Sequence, residues 1–406
     1  MSAWPSSPAH HRWLDQHSRD LLAFGRRTAD PGGGARWLDN LGEPMADRPL
    51  STLISSRMTH VYGIGALLGV PGAGRVAATA MAGLTGRLRD ARHGGWFPAV
   101  HTDGTPEPGK TAYDHSFVLL AASTAVQAEL PGATDLLDEA AAVLLNRFWD
   151  EEAGLCADTW DTTFTALDGY RGMNANMHAV EAMLSAASVT GDPAWISRAL
   201  RICRFVVTVA EAHQWRIPEH YDAAWQPLPD YHRDEPDHPF KPYGATIGHG
   251  LEWARLLLHT AAAPTVGEST WLTTAAKELF ARAVADGWAV DGQPGFVYTT
   301  DWTGRPVVRD RMHWVAAEGV HAAAALHAYT RAESYAQWYR TWWDYIDEHL
   351  IDHEHGSWFH QLDPANRPVA TVWPGKADLY HAFQATLGPR LPLWPMVATA
   401  VDNHLA

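Results

Sequence analysis

The sequence predicts an all-α protein, an (α/α)6 barrel: a toroid of paired helices with short β-hairpins between repeats, spanning residues 1–406 as one domain. Three observations carry this. A unit of helix, loop, helix and hairpin recurs roughly every 60–70 residues, about six times. Apolar β-branched runs are scarce and the helical segments come in pairs, which argues against a parallel α/β barrel. Long inter-repeat segments such as Gln226–Gly244 are suited to covering a cavity, which favours a closed ring over an open solenoid of helix pairs.

Taken in order, residues 12–27 read as an amphipathic helix, with Trp13, Leu14, Leu21, Leu22 and Phe24 near one face. Residues 29–51 are rich in Gly, Pro and Asp and read as a loop. The repeat then begins with helices 55–69 and 74–91. It continues with pairs at 114–129 and 133–149, 174–190 and 193–212, 248–263 and 270–288, and 314–332 and 334–351, and ends with 378–387. All are rich in Ala and Leu with apolar residues at helical spacing. Between repeats lie aromatic-rich extended runs that end in Asp or Gly, as hairpins do: Gly94–Gly104, Gly154–Asp161, Trp215–Asp222, Gly295–Gly304 and Gly356–Asp363. Helix–helix loops carry Pro131-Gly132 and Gly191-Asp-Pro193, with Pro193 suited to a first helical turn.

Of the 406 residues 46% are hydrophobic, enough for a large core. The net charge of −15 and the lack of a basic block argue against nucleic acid or an anionic membrane surface as partner. Cys156 and Cys203 are the only cysteines, so no disulfide framework exists and a reducing cytoplasm is expected. The opening Met-Ser-Ala-Trp-Pro lacks the basic-then-apolar pattern of a leader, and no apolar run approaches membrane length.

The starts of the helices that follow the hairpins align. They read Ser56-Arg-Met-Thr-His60, Ala112-Tyr-Asp-His115, Asn174-Ala-Asn-Met-His178, Thr246-Ile-Gly-His-Gly-Leu-Glu252, Met312-His-Trp-Val-Ala-Ala-Glu318 and Asp378-Leu-Tyr-His381. Each carries a histidine, and most add Arg, Asn, Asp or Glu. If these helices form the inner layer, their first turns converge on one mouth and line a concave pocket. Asn174 and Asp378 also suit plain helix capping, whereas His249 and His381 sit one turn inside.

Several chemistries find no motif. Gly32-Gly-Gly34 lacks a following Lys-Ser/Thr, and Gly-x-Ser-x-Gly, Cys-x-x-Cys and His-Glu-x-x-His are absent. His249 and Glu252, three apart on one helix face, could ligate a metal with His178, but carboxylates are not otherwise clustered with the histidines, and no metal is expected. Two imidazoles, with ordinary pKa values of about 6.5, suit removal and return of a proton at carbon. Tryptophan faces suit stacking on a pyranose ring, and Arg, Asn and Gln suit its hydroxyls. A glycoside hydrolase would instead need two carboxylates flanking a cleft, for which Glu318 and Asp378 are available. A sugar-binding protein without catalysis is a third possibility.

Long co-linear segments carry a resemblance. They are His93-Gly-Gly-Trp96, Tyr170-Arg-Gly-Met-Asn-Ala-Asn-Met-His-Ala-Val-Glu-Ala182, Trp225–Tyr231, Gly248-His-Gly-Leu-Glu-Trp253, Tyr339-Arg-Thr-Trp-Trp343 and Gly375-Lys-Ala-Asp-Leu-Tyr-His381. From Arg12 to Pro392 the chain resembles the N-acylglucosamine 2-epimerase superfamily, within it the aldose–ketose isomerases of mannose and of sulfoquinovose. The resemblance implies an (α/α)6 barrel that needs no cofactor and works through a cis-enediol. It implies His249 and His381 as acid–base pair, leaving open which does which step, and Glu252 as an assistant beside His249. Arg57, Tyr113, Asn174, His178, Trp314, Glu318 and Gln361 would hold the sugar. Sulfoquinovose members are expected to carry Gln in the Gly-Lys-x-Asp segment, where this chain has Ala377. That favours an ordinary aldose: mannose/fructose first, lyxose/xylulose second, with 2-epimerisation of an N-acylglucosamine or a cellobiose, or isomerisation of sulfoquinovose, as the alternative. The expected partner is a monosaccharide and the expected state a monomer or homo-oligomer. The Gln226–Gly244 loop is a candidate lid.

Overall fold

The computed structural model describes residues 4–405; the Met-Ser-Ala of the leader reading lies outside them. In chain order the helices are α1 (Pro8–Phe24), α2 (Thr52–Leu67), α3 (Ala73–Thr85), α4 (Ala112–Gln127), α5 (Ala133–Val143), α6 (Met173–Thr190) and α7 (Pro193–Ala212), followed by α8 (Ile247–Ala262), α9 (Thr270–Gly287), α10 (His313–Thr330), α11 (Glu333–Tyr345), α12 (Tyr380–Leu387) and α13 (Val397–His404). None is long and apolar enough to cross a membrane.

Helices α2, α4, α6, α8, α10 and α12 pack side by side, and α12 returns onto α2, so the inner layer is a closed ring and not an open solenoid. The remaining members of the pairs pack outside it, with α1 completing the last pair against α12. Burial follows position. From Ala112 to Ala125, α4 buries all but Tyr113, as suits a helix enclosed on every side. The outer α7 buries one stripe, Trp195, Ile196, Ala199, Ile202, Cys203, Val206 and Ala210. Both cysteines are free and buried.

Three details depart from the expected boundaries. The segment read as 74–91 ends as a helix at Thr85. The spans 133–149 and 334–351 each finish in a wider π turn, Leu144–Phe148 and Ile346–Leu350. The last helix starts at Tyr380, because the Asp378 carboxylate accepts from the Tyr380 N–H at 2.9 Å and so stands ahead of the first turn. An unanticipated helix, α13, closes the far end against α2, α4 and α6.

The hairpins also do more than turn the chain. The two residues ahead of an inner helix pair antiparallel with the hairpin of the next repeat: Leu50 with Val100, Lys110 with Trp160, Arg171 with Tyr221, Thr246 with Thr299 and Met312 with Gln361. These pairings stitch the repeats together at the end of the barrel where the inner helices begin. Buried ion pairs reinforce them: Lys110 Nζ to Asp90 at 2.8 Å, Arg311 to Asp291 at 2.7 Å and Lys376 Nζ to Asp352 at 2.7 Å.

Candidate active site

The paired strands put the first turns of the inner helices at one mouth, where they line a cavity. Arg57 comes from α2, Tyr113 from α4, Asn174 and His178 from α6, His249 and Glu252 from α8, and Trp314 from α10. His381 comes from α12. Phe240 and Trp373 roof the cavity from loops, and Ala377 lies in its wall.

His249 and His381 share a geometry. The Nδ1 of His249 lies 2.9 Å from Glu219 Oε1, and that of His381 lies 3.0 Å from Glu318 Oε1. An ionised carboxylate only accepts, so each ring donates from Nδ1 and leaves Nε2 as a basic nitrogen. Trp314 lies between them, its ring centroid 5.2 Å from His249 and 5.7 Å from His381. Gly248 makes room for that indole: a Cβ there would collide with the Trp314 ring. Burial, with Arg57 and His313 nearby, holds the His381 imidazole well below its ordinary value, so the ring is neutral at rest.

Below this layer Arg255, buried on α8, binds Glu318 at 2.8 Å and lies 3.4 Å from Glu252 and 3.6 Å from Glu181. Burial, with Glu318 and Glu181 alongside, pushes the Glu252 carboxyl well above the usual range, against Arg255. Burial would also raise Glu181, but His178, Arg255 and Tyr380 outweigh it and keep Glu181 ionised. At the rim Arg57 binds Asp378 at 3.0 Å and donates to Tyr113 Oη at 3.2 Å. Burial opposes ionisation of Asp378, yet Arg57 and His360 hold its carboxyl far below the ordinary value.

Two residues expected to grip the ligand directly do not line the cavity. Glu318 stands behind His381. Gln361 uses its whole amide internally, donating to Asp310 at 2.5 Å and Thr371 at 2.7 Å and accepting from the N–H groups of Val372 and Trp373. It therefore shapes the loop that carries Trp373. Glu252 lies 3.9 Å from His178 and contacts Arg255, and no bond joins it to His249. Nor do all six aligned histidines converge. His60 binds Thr124 deeper in the barrel, and His115 is spent on Thr111 O and the Trp96 N–H. The two carboxylates considered for hydrolysis, Glu318 and Asp378, are both committed to arginines.

Glu219 had not been singled out, although a second alignment contains it. In each cross-repeat pairing, the residue just before the hairpin strand gives its carbonyl to the first N–H of the preceding inner helix. Those residues are Pro98, Asp158, Glu219, Tyr298 and His360. The hairpins thus supply a second ring of side chains, of which Tyr298 and His360 line the cavity.

Among the described residues, one group could gather around a metal ion: His178, Glu181 and Glu252, with ligand atoms within 4.8 Å of one another. The adjoining Arg255 guanidinium already brings positive charge to both carboxylates.

Comparison with known proteins gives a consistent result. The family model described as N-acylglucosamine 2-epimerase (GlcNAc 2-epimerase) matches residues 33–385. A D-mannose isomerase of Thermobifida fusca is 49% identical over 404 residues, 99% of each chain. One of Pseudomonas cannabina pv. alisalensis is 45% identical over 98% of this chain and 97% of its own. A crystal structure of D-mannose isomerase superposes with a TM-score of 0.88 at 28% identity, covering 95% of this chain and 99% of that one.

Proposed function

The chain belongs to the N-acylglucosamine 2-epimerase family, and on that premise we propose that it is an aldose–ketose isomerase interconverting D-mannose and D-fructose, with D-lyxose and D-xylulose as a second pair. The reaction runs by proton transfer through a cis-enediol, without a metal ion. The observation that carries this reading is the pair of carboxylate-backed imidazoles flanking Trp314.

An open-chain aldose lying along the indole has a basic Nε2 on either side. One imidazole opens the ring and serves the oxygens. The other takes the proton from C2; the C–H electrons form the C1–C2 double bond and the carbonyl oxygen takes up a proton. The same base returns its proton to C1 as the C2 hydroxyl gives up its own, and the ketose results. Such acid–base assistance typically contributes about 10²–10⁴-fold per group.

The wall suits a neutral polyol. Asn174 Oδ1 is buried without a hydrogen bond among the described residues, so a sugar hydroxyl would satisfy it. Arg57 reaches the cavity with its charge matched by Asp378, and Ala377 presents no amide for an anionic substituent. Arg255 supplies the positive charge among Glu181, Glu252 and Glu318 that a metal would otherwise bring.

The same two imidazoles, set on both sides of the indole, would also suit return of the proton to the opposite face of C2, which is 2-epimerisation. Product analysis separates the two. Incubation with mannose is expected to yield fructose, and activity is expected to persist in EDTA. Glucose without fructose would make the chain a 2-epimerase, and loss in EDTA with recovery on a divalent ion would reinstate a metal.

A further inference from the structure

We propose that His238 is a positioning residue of this pocket: it holds Phe240 over the mouth by accepting two backbone N–H bonds, and it releases Phe240 when the imidazole is protonated. The proposal rests on reading the cavity as the isomerase site.

Phe240 lies on the loop between the hairpin at 220–221 and α8. Its ring stands 5.9 Å from Tyr113 and 5.4 Å from Trp373, so it bridges an inner helix to the loop across the mouth. It lines both the reaction cavity and a larger groove beside it. At 39% exposure it is not held by burial alone. Three imidazoles hold the residues around it. His238 Nδ1 accepts from the N–H of Phe240 at 3.2 Å and of Lys241 at 3.1 Å. His232 Nδ1 lies 2.8 Å from Lys241 O, and His220 Nε2 lies 2.8 Å from Pro242 O. A carbonyl only accepts and a backbone N–H only donates, so the tautomers follow. His232 and His220 are donors, and protonation leaves those bonds intact. His238 is an acceptor, and protonation removes both of its bonds. Acid therefore undoes one latch of three, the one at Phe240.

The charged and titratable groups around His238 are His232, Glu235, Asp237 and Lys241 on its own loop. Across the shared groove stand Arg48, Glu107, Asp114, Asp158 and Tyr170. Lys241 is fixed over the Tyr170 ring at 3.8 Å and lies 3.9 Å from Asp158. Burial, then His232 and Lys241, hold the His238 imidazole below its ordinary value, against Glu235 and Asp237. The latch is therefore closed above about pH 6.5 and is lost as the pH falls through the lowered value.

The test is amide hydrogen exchange across residues 238–242 without substrate, corrected for intrinsic rates, at about pH 7.5 and about pH 5, with α8 amides as the global control. In the wild type, exchange at Phe240 and Lys241 should rise about tenfold in acid relative to α8. His238→Gln keeps an acceptor oxygen that does not titrate and should rise less than about twofold; His238→Ala should exchange fast at both values. In kinetics the KM for mannose, more than kcat, should climb in acid in the wild type and not in His238→Gln. Matching pH responses of wild type and His238→Gln would overturn the proposal. Turnover of mannose with matching responses leaves the isomerase standing and removes the latch. The expected exchange pattern without mannose turnover keeps the latch and removes the isomerase.

Discussion

His249 and His381 differ in what stands behind them. Among the described residues the Glu219 side chain serves His249 alone, whereas Glu318 divides its carboxylate between His381 and Arg255. Replacement of either histidine by alanine should therefore leave a folded protein and cost about 10²–10⁴ in kcat for mannose. The carboxylates separate two effects. Glu219→Gln retains an acceptor for the His249 Nδ1–H but removes the charge that stabilises the imidazolium. It is expected to lower kcat by roughly 10²-fold, with a melting temperature close to wild type. Glu318→Gln also strips a buried arginine of its nearest anion, which costs about 3–5 kcal/mol. That variant should lose activity and melt well below wild type. An unchanged melting temperature would mean that Glu181 alone balances Arg255.

At the scale of the element, the repeat is held by cations that precede inner helices and reach back to an aspartate 20 or 24 residues earlier. Lys110 also donates to Gly94 O, and Asp90 accepts from the N–H groups of Arg92 and His93. Lys110→Met leaves this buried carboxylate without its cation and is expected to lower unfolding stability by about 3 kcal/mol in urea titrations. Adding Asp90→Asn should recover part of that loss, because an asparagine oxygen can still accept from the turn. A purely additive double mutant would show that the two side chains are not coupled. None of these pairs was visible in the sequence, since a partner 20 residues away in a hairpin has no helical spacing. The helices themselves were legible from apolar periodicity, and the mouth from aligning helix starts, which singled out His249 and His381; Arg57, Tyr113, Asn174, His178 and Trp314 came as sugar contacts from the family resemblance. Glu219 escaped because that alignment ignored the hairpins, whose register emerges only when strands pair across repeats. Gln361 and Glu318 are implied as ligand contacts by the family resemblance alone. The sequence does not reveal that Thr371, Trp373 and Arg255 already occupy them.

For the whole molecule, buried imidazoles set the acid limit. Burial, outweighing carboxylates or hydrogen bonds nearby, lowers His60, His178, His259 and His360 to about 4. A group lowered on folding contributes stability that is complete above its unfolded value of about 6.5 and is lost as the pH falls toward about 4. Two such groups cost about 3 kcal/mol per pH unit in that window. The melting temperature should therefore fall between about pH 6.5 and about pH 4.5, before Asp378 and Glu181, both held below the ordinary carboxylate range, take up protons. A flat melting temperature to about pH 4.5 would sink this account. The ring has one more consequence, through the pairing of α1 with α12. His10 meets Tyr339 across 329 residues, His17 meets Trp358 across 341, and Asp15 meets Arg390 across 375. Contacts of such high order form late, because their loops must close before they stabilise anything. During synthesis Leu22 of α1 can meet Tyr62 and Gly65 of α2 early, whereas His10, His17 and Asp15 wait for Tyr339, Trp358 and Arg390. His381 lies on α12, so the second imidazole takes its place only as α12 packs against α1 and closes the ring.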